Sequence, residues 1–66
     1  MQIILNGETH NIDAEQTISA LLQEQGYDGK LVAVAVNNTF APKSSYTTHT
    51  IHDGDKLEIV APMQGG

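Results

Sequence analysis

The stretch Leu31 to Val36 (LVAVAV) is an unbroken apolar run of six residues, and no other part of the chain limits the fold so strongly. It has the length of a strand, and continuous apolarity of that kind marks a strand that is central or covered on both faces. Successive strand side chains point to opposite faces, so Val32, Val34 and Val36 share one side and the smaller Ala33 and Ala35 the other. Such a strand needs partners, which the flanking segments must supply.

After it, Asn37-Asn38 tolerates the left-handed backbone of a turn, and Thr39-Phe40 is long enough for a short edge strand before Pro42. Lys43 to Thr50 is polar and reads as irregular. Asp53-Gly54-Asp55 marks a second turn. From Lys56 to Ala61 the sequence alternates again, placing Leu57 and Ile59 inward and Lys56, Glu58 and Val60 outward, until Pro62 ends the strand. At the other end of the chain, Met1 to Leu5 is a short Ile-rich segment followed by Asn6-Gly7, a pair suited to a tight hairpin turn, with Glu8 to Ile12 as the return strand. Met1, Ile3 and Leu5 form the core-facing set there, while Gln2 and Ile4 face away. Between these strands the period changes. Ile18, Leu21, Leu22 and Gln25 fall at helical spacing, Thr17 is placed to cap the helix start, and Gly26 to stop it. Asp13 to Gln16 reads as a connector or early turn.

The resulting order is strand, strand, helix, strand, short strand, strand. That is too little for a doubly wound sheet, and it leaves an α+β fold in which one mixed sheet of four to five strands packs on one helix. With the last strand parallel to the first, the connections stay right-handed and unknotted, and one sheet face covers Ile18, Leu21 and Leu22. This is the β-grasp arrangement, expected over residues 1–61, with residues 62–66 as a flexible, extended C-terminal tail.

Composition narrows the function. A chain of 66 residues makes one domain, too small for a deep enzyme cleft. Sixteen residues are Leu, Ile, Val or Phe, above the roughly one-fifth level that marks disordered chains. Without cysteine there is no disulfide framework and no thiolate zinc cluster, as expected in a reducing cytoplasm. A net charge of −5 with no arginine argues against nucleic acid, whose phosphates call for clustered Lys and Arg. Basic protein partners fit better. No apolar run approaches the ~20 residues of a membrane helix, and MQIILNGE lacks the basic segment and longer apolar core of a secretion signal.

The chemistry lies at the end of the chain. Pro62, Met63, Gln64, Gly65 and Gly66 follow the last strand, and at full extension these residues reach roughly 17 Å, far enough to enter a partner's active site. Terminal glycines are ordinarily only a frayed end. Here they follow directly on a small β-grasp pattern, and a pair without side chains can pass through a narrow channel. A carboxylate is a poor electrophile until it is activated, for example as an acyl adenylate.

At this point the chain resembles a known family. MQIILNGE, Thr17-Ile18 with Leu21-Leu22, Val32 to Asn37, Pro42-Lys43, the Asp53-Gly54-Asp55 turn leading into Leu57 to Val60, and terminal Gly65-Gly66 are similar to the ubiquitin-like sulfur carriers of thiamine biosynthesis, the ThiS family. The likeness covers essentially the whole chain. It implies a protein that is not an enzyme and binds no cofactor of its own. A ThiF-type adenylyltransferase would use ATP and magnesium to activate the Gly66 carboxylate, and a sulfur donor protein would convert it to a thiocarboxylate. Thiazole synthase would then take the sulfur, with Gly65 giving access to Gly66. The Gly-Gly end is shared with molybdopterin-type sulfur carriers and ubiquitin-like protein modifiers. A further alternative is a non-covalent β-grasp interaction module whose terminal glycines do nothing. Met63 and Gln64 differ from the family's usual endings.

Other residues carry weaker signals. His49 and His52 form an H-x-x-H spacing outside a helix, and a third ligand would have to come from Asp53 or His10, so no zinc motif is complete. Ser44 and Ser45 lack a nucleophile-elbow pattern. Gly7, Gly26, Gly29 and Gly54 are scattered and form no phosphate loop. Ile4 and Val60 turn outward on strands expected to be neighbours. They are therefore expected to form one partner-docking patch near the root of the tail, with Glu8 and Glu58 available to steer toward a basic surface.

Overall fold

The computed structural model describes residues 1–27 and 31–60. The first hairpin forms as its sequence dictates. Strand β1 (Gln2–Leu5) pairs antiparallel with β2 (Glu8–Asn11). Asn6 and Gly7 between them take φ of 50° and 84°, the left-handed pair that matches the twist of a two-residue hairpin. Helix α1 (Ile18–Glu24) follows, with the Thr17 hydroxyl accepting from Ala20 N–H at 3.1 Å. The helix ends when Gly26 adopts φ 86°, which lets Gly26 N–H reach the Gln23 carbonyl and Tyr27 N–H the Leu22 carbonyl.

The second hairpin joins β4 (Ala33–Val36) to β5 (Thr39–Ala41) through Asn37 and Asn38, at φ 51° and 71°. A short 3-10 helix, Lys43–Ser45, comes next, then β6 (Thr50–Ile51) and the final β7 (Lys56–Val60). Strand β7 lies parallel to β1 and antiparallel to β4, giving a mixed sheet of five strands in the order β2-β1-β7-β4-β5. The α+β β-grasp arrangement read from the order of elements is the fold observed.

Three features depart from the sequence reading. Gln16 is not merely connector: with Thr17 it forms β3, which pairs antiparallel with β6 in a second sheet of two strands. The segment Lys43 to Thr50 is not simply irregular either. Its carbonyls satisfy the free amides at the helix start, with Ile18 N–H donating to His49 O at 3.1 Å and Ser19 N–H to Tyr46 O at 2.8 Å. Tyr46 is buried, and its hydroxyl donates to the Val32 carbonyl at 3.3 Å.

The apolar run is the third departure. Its strand is interior as expected, paired with β7 on one side and β5 on the other, but it begins only at Ala33, and Leu31 is 68% exposed. Val34 and Val36 are buried on the helix face; on the other face Ala33 is exposed while Ala35, flanked by Glu58 and Phe40 on the neighbouring strands, is buried. An alanine exposes little apolar area, which is how a continuous apolar run remains tolerable on a half-covered sheet.

The core assembles on that covered face from Ile3, Ile12, Ile18, Leu21, Leu22, Val34, Val36, Tyr46, Ile51, Leu57 and Ile59. Among the described residues no polar or charged side chain is buried with them. Residue 61, where the last strand was expected to end, and the tail from 62 lie outside the described residues.

Candidate functional site

Strand β7 is the last described element, so the site is built around its final described residue, Val60. The alternation Lys56, Glu58, Val60 outward and Leu57, Ile59 inward is the one observed: Leu57 and Ile59 are buried and the other three exposed. The strand is anchored at its start by the Asp53-Gly54-Asp55 turn. Asp53 Oδ1 accepts from Gln2 N–H at 2.7 Å, Gly54 N–H donates to Gln2 O, and Ile4 N–H donates to Asp55 O. Asn37 adds a bridge from the neighbouring hairpin, accepting from Lys56 N–H at 3.0 Å and donating to Asp55 Oδ1 at 3.1 Å.

The register corrects the expected docking patch. Strands β1 and β7 are indeed neighbours, but Ile4 stands opposite Lys56, with Thr9 on its other side. Val60 is four residues further along β7, about 13 Å at strand rise, and stands opposite Ala33 of β4. Ile4 and Val60 therefore share the open face without forming one patch, and Glu58 lies on the line between them. Ile4 is 37% exposed and Val60 55%. Glu8 stands opposite Leu5, which puts it on the helix side of the sheet, away from Glu58.

Val60 instead belongs to a different apolar surface. Together with Leu31, Val32, Ala33 and the stem of Lys43 it lines a shallow depression beside the exit of β7. Phe40 lies on the same open face, opposite Ala35, and is 67% exposed. Sequence reasoning passed over Phe40. The signal was present, since a two-residue turn at Asn37-Asn38 sets residue 40 across from residue 35 and so on the face of the alanines.

The remaining polar candidates are dispersed. His52 Nε2 sits 3.7 Å from Glu15 Oε2, both well exposed, and His10 Nε2 is 3.2 Å from Gln25 Nε2. Among the described residues no three His, Cys, Asp or Glu side chains are grouped to hold a metal ion. Ser45 Oγ donates to the Pro42 carbonyl at 2.8 Å, which occupies it within its own turn. None of the described helices is long and apolar enough to cross a membrane. Gly65 and Gly66 lie outside the described residues.

Comparison with known proteins bears on this geometry. The sequence profile of the ThiS family matches residues 3–66. A thiazole synthase of Paramagnetospirillum magneticum is 50% identical over all of this chain, which spans 20% of that protein's length. A sulfur carrier protein ThiS of Thermus thermophilus is 37% identical over 94% of this chain and 95% of its own. The crystal structure of a thiamine biosynthesis protein (ThiS) from Geobacter metallireducens superposes over the whole of both chains with a TM-score of 0.85 at 25% identity.

Proposed function

Because the chain belongs to the ThiS family, we propose that it works as a sulfur carrier in thiamine biosynthesis and that the carboxylate of Gly66 is the group that carries the sulfur. The observation supporting this most directly is the path of β7. The last described strand lies at the centre of the sheet, paired with β1 on one side and β4 on the other, and ends at Val60 beside an exposed apolar surface, six residues before Gly66.

The chemistry follows from the carboxylate. Its delocalised charge resists nucleophiles, so a ThiF-type adenylyltransferase joins it to the AMP portion of ATP, with magnesium on the phosphates and pyrophosphate leaving. A sulfur donor protein then supplies the sulfur that takes the place of AMP on the acyl carbon, giving the thiocarboxylate. The carrier is not itself an enzyme. It contributes recognition and reach, and the absence of side chains at Gly65 and Gly66 suits a narrow active-site channel. Thiazole synthase as the recipient is supported by the protein of that name in which a fifth of the length matches this chain. A cytoplasmic carrier is part of the proposal, supported by the ATP that the adenylating step consumes.

Docking falls to the open sheet face. Val60, Ala33 and Leu31 supply apolar contact at the end of the described part of β7, and Glu58 a charge beside it; the exposed Phe40 stands on the same face two strands across, opposite Ala35, and Ile4 lies at the far side. Intact mass spectrometry tests the proposal. After incubation with adenylyltransferase, ATP, magnesium and a sulfur donor, the chain should gain the mass difference of sulfur for oxygen, localised to Gly66. Failure to form either adenylate or thiocarboxylate with a partner that modifies another ThiS protein overturns it.

A further inference from the structure

We propose that Asn6 is a positioning residue for the reactive tail, because its side chain completes the hydrogen-bond ladder of β7 where β1 has already ended. This rests on the carrier reading above.

The ladder between the two parallel strands runs in regular rungs. Ile4 N–H donates to Asp55 O, and Asn6 N–H donates to Leu57 O, each at 2.9 Å. In a parallel pair the next rung would run from Ile59 N–H to the main-chain carbonyl of residue 6. The chain cannot provide it, because Asn6 turns away into the hairpin at φ 50°. Ile59 N–H instead donates to Asn6 Oδ1 at 2.8 Å. The amide side chain of the same residue thus replaces its own main-chain carbonyl, and β7 stays bonded on the β1 side to within one residue of Val60.

Two demands meet at this position. The backbone must be left-handed, which Asn, Asp and Gly accept, and the side chain must offer a carbonyl-type oxygen at short reach, which Gly lacks and Asp retains. Val60 is paired with Ala33 on the other side of β7. The Asn6 bond therefore decides whether the strand end is held from both sides or from one. The tail begins one residue beyond this anchored stretch, and catalysis by a partner is sensitive to about 1 Å of misplacement at the reacting carboxylate.

The substitution N6G keeps the backbone conformation and deletes only the acceptor, whereas N6D restores it. At saturating adenylyltransferase and ATP, and far below melting, N6G should lower the maximal rate of adenylate formation about three- to tenfold with KM little changed, and N6D should recover most of it. Amide hydrogen exchange at Ile59 should accelerate by a similar factor in N6G. I12V, which loses a methylene from the core well away from β7's end, serves as a control: its lower melting temperature should leave the adenylation rate unchanged. Equal rates for N6G and the unaltered chain overturn the positioning role, as does unchanged exchange at Ile59. An unaltered chain that the partner does not adenylate counts against the carrier reading as well, so the two failures are distinguishable.

Discussion

Single side chains in this protein divide into those that hold the fold and exposed apolar ones that the proposed docking surface uses. Thr17 is of the first kind. Its hydroxyl accepts from Ala20 N–H, one of the helix-start amides with no partner inside the helix. T17A should therefore lower unfolding free energy by about 1 kcal/mol in urea titration, with no change in the mass of any adduct formed on the tail. Val60 and Phe40 are of the second kind: both are more than half exposed and neither is part of the core cluster. V60D and F40D should each raise KM for adenylation by roughly tenfold or more, because a carboxylate buried in an apolar interface is left without a partner. Their stability should move by no more than about 0.5 kcal/mol, as is usual for surface changes. I4D, four residues distant along the sheet from Val60 and beside Lys56 rather than Ala33, should have the smaller effect on KM. Equal effects of I4D and V60D would show that the partner covers the whole face.

At the scale of elements, what the sequence disclosed was local. The Asn6-Gly7 and Asn37-Asn38 turns, the Thr17 cap, the Gly26 stop and the alternation of β7 each depend on residues close in the chain, and each appears as read. The pairing of β3 with β6 was hidden because strands of two residues have no periodicity to detect, and Gln16 meets Ile51 only after the intervening chain has folded. The proposed docking surface was half legible for the same reason. Alternation assigned Ile4, Glu58 and Val60 to the open face, but the register that separates Ile4 from Val60 depends on a parallel pairing between the two ends of the chain. The hidden ribbon has consequences for stability. Ile51 is fully buried, and its segment supplies carbonyls to the helix start. I51A should cost about 2–5 kcal/mol. A chain of 66 residues has roughly 3–10 kcal/mol in all, so the variant should be partly unfolded at 37 °C by circular dichroism.

At the scale of the whole molecule, and among the described residues, helix α1 packs on one face of the sheet and Ile4, Phe40 and Val60 are exposed on the other, so the core and the proposed docking surface are opposite sides of the same strands. With no cysteine to carry a persulfide, the proposed sulfur carrier would hold its sulfur on the Gly66 carboxylate. That requirement separates a carrier from a docking module with the same fold, because a module needs the face alone. Adding one alanine after Gly66 keeps every described contact but turns the Gly66 carboxylate into an amide and moves the terminal carboxylate outward by up to about 3.6 Å. In a channel that tolerates about 1 Å of error, adenylation should fall by a hundredfold or more. The melting temperature should be unchanged, since termini contribute little to the fold. Intact mass and thermal denaturation on the same sample give both readouts. Adenylation of the extended chain at the rate of the unaltered one would remove Gly66 from the mechanism, whereas retained binding to the adenylyltransferase with lost adenylation would show the face and the end acting as two separable parts.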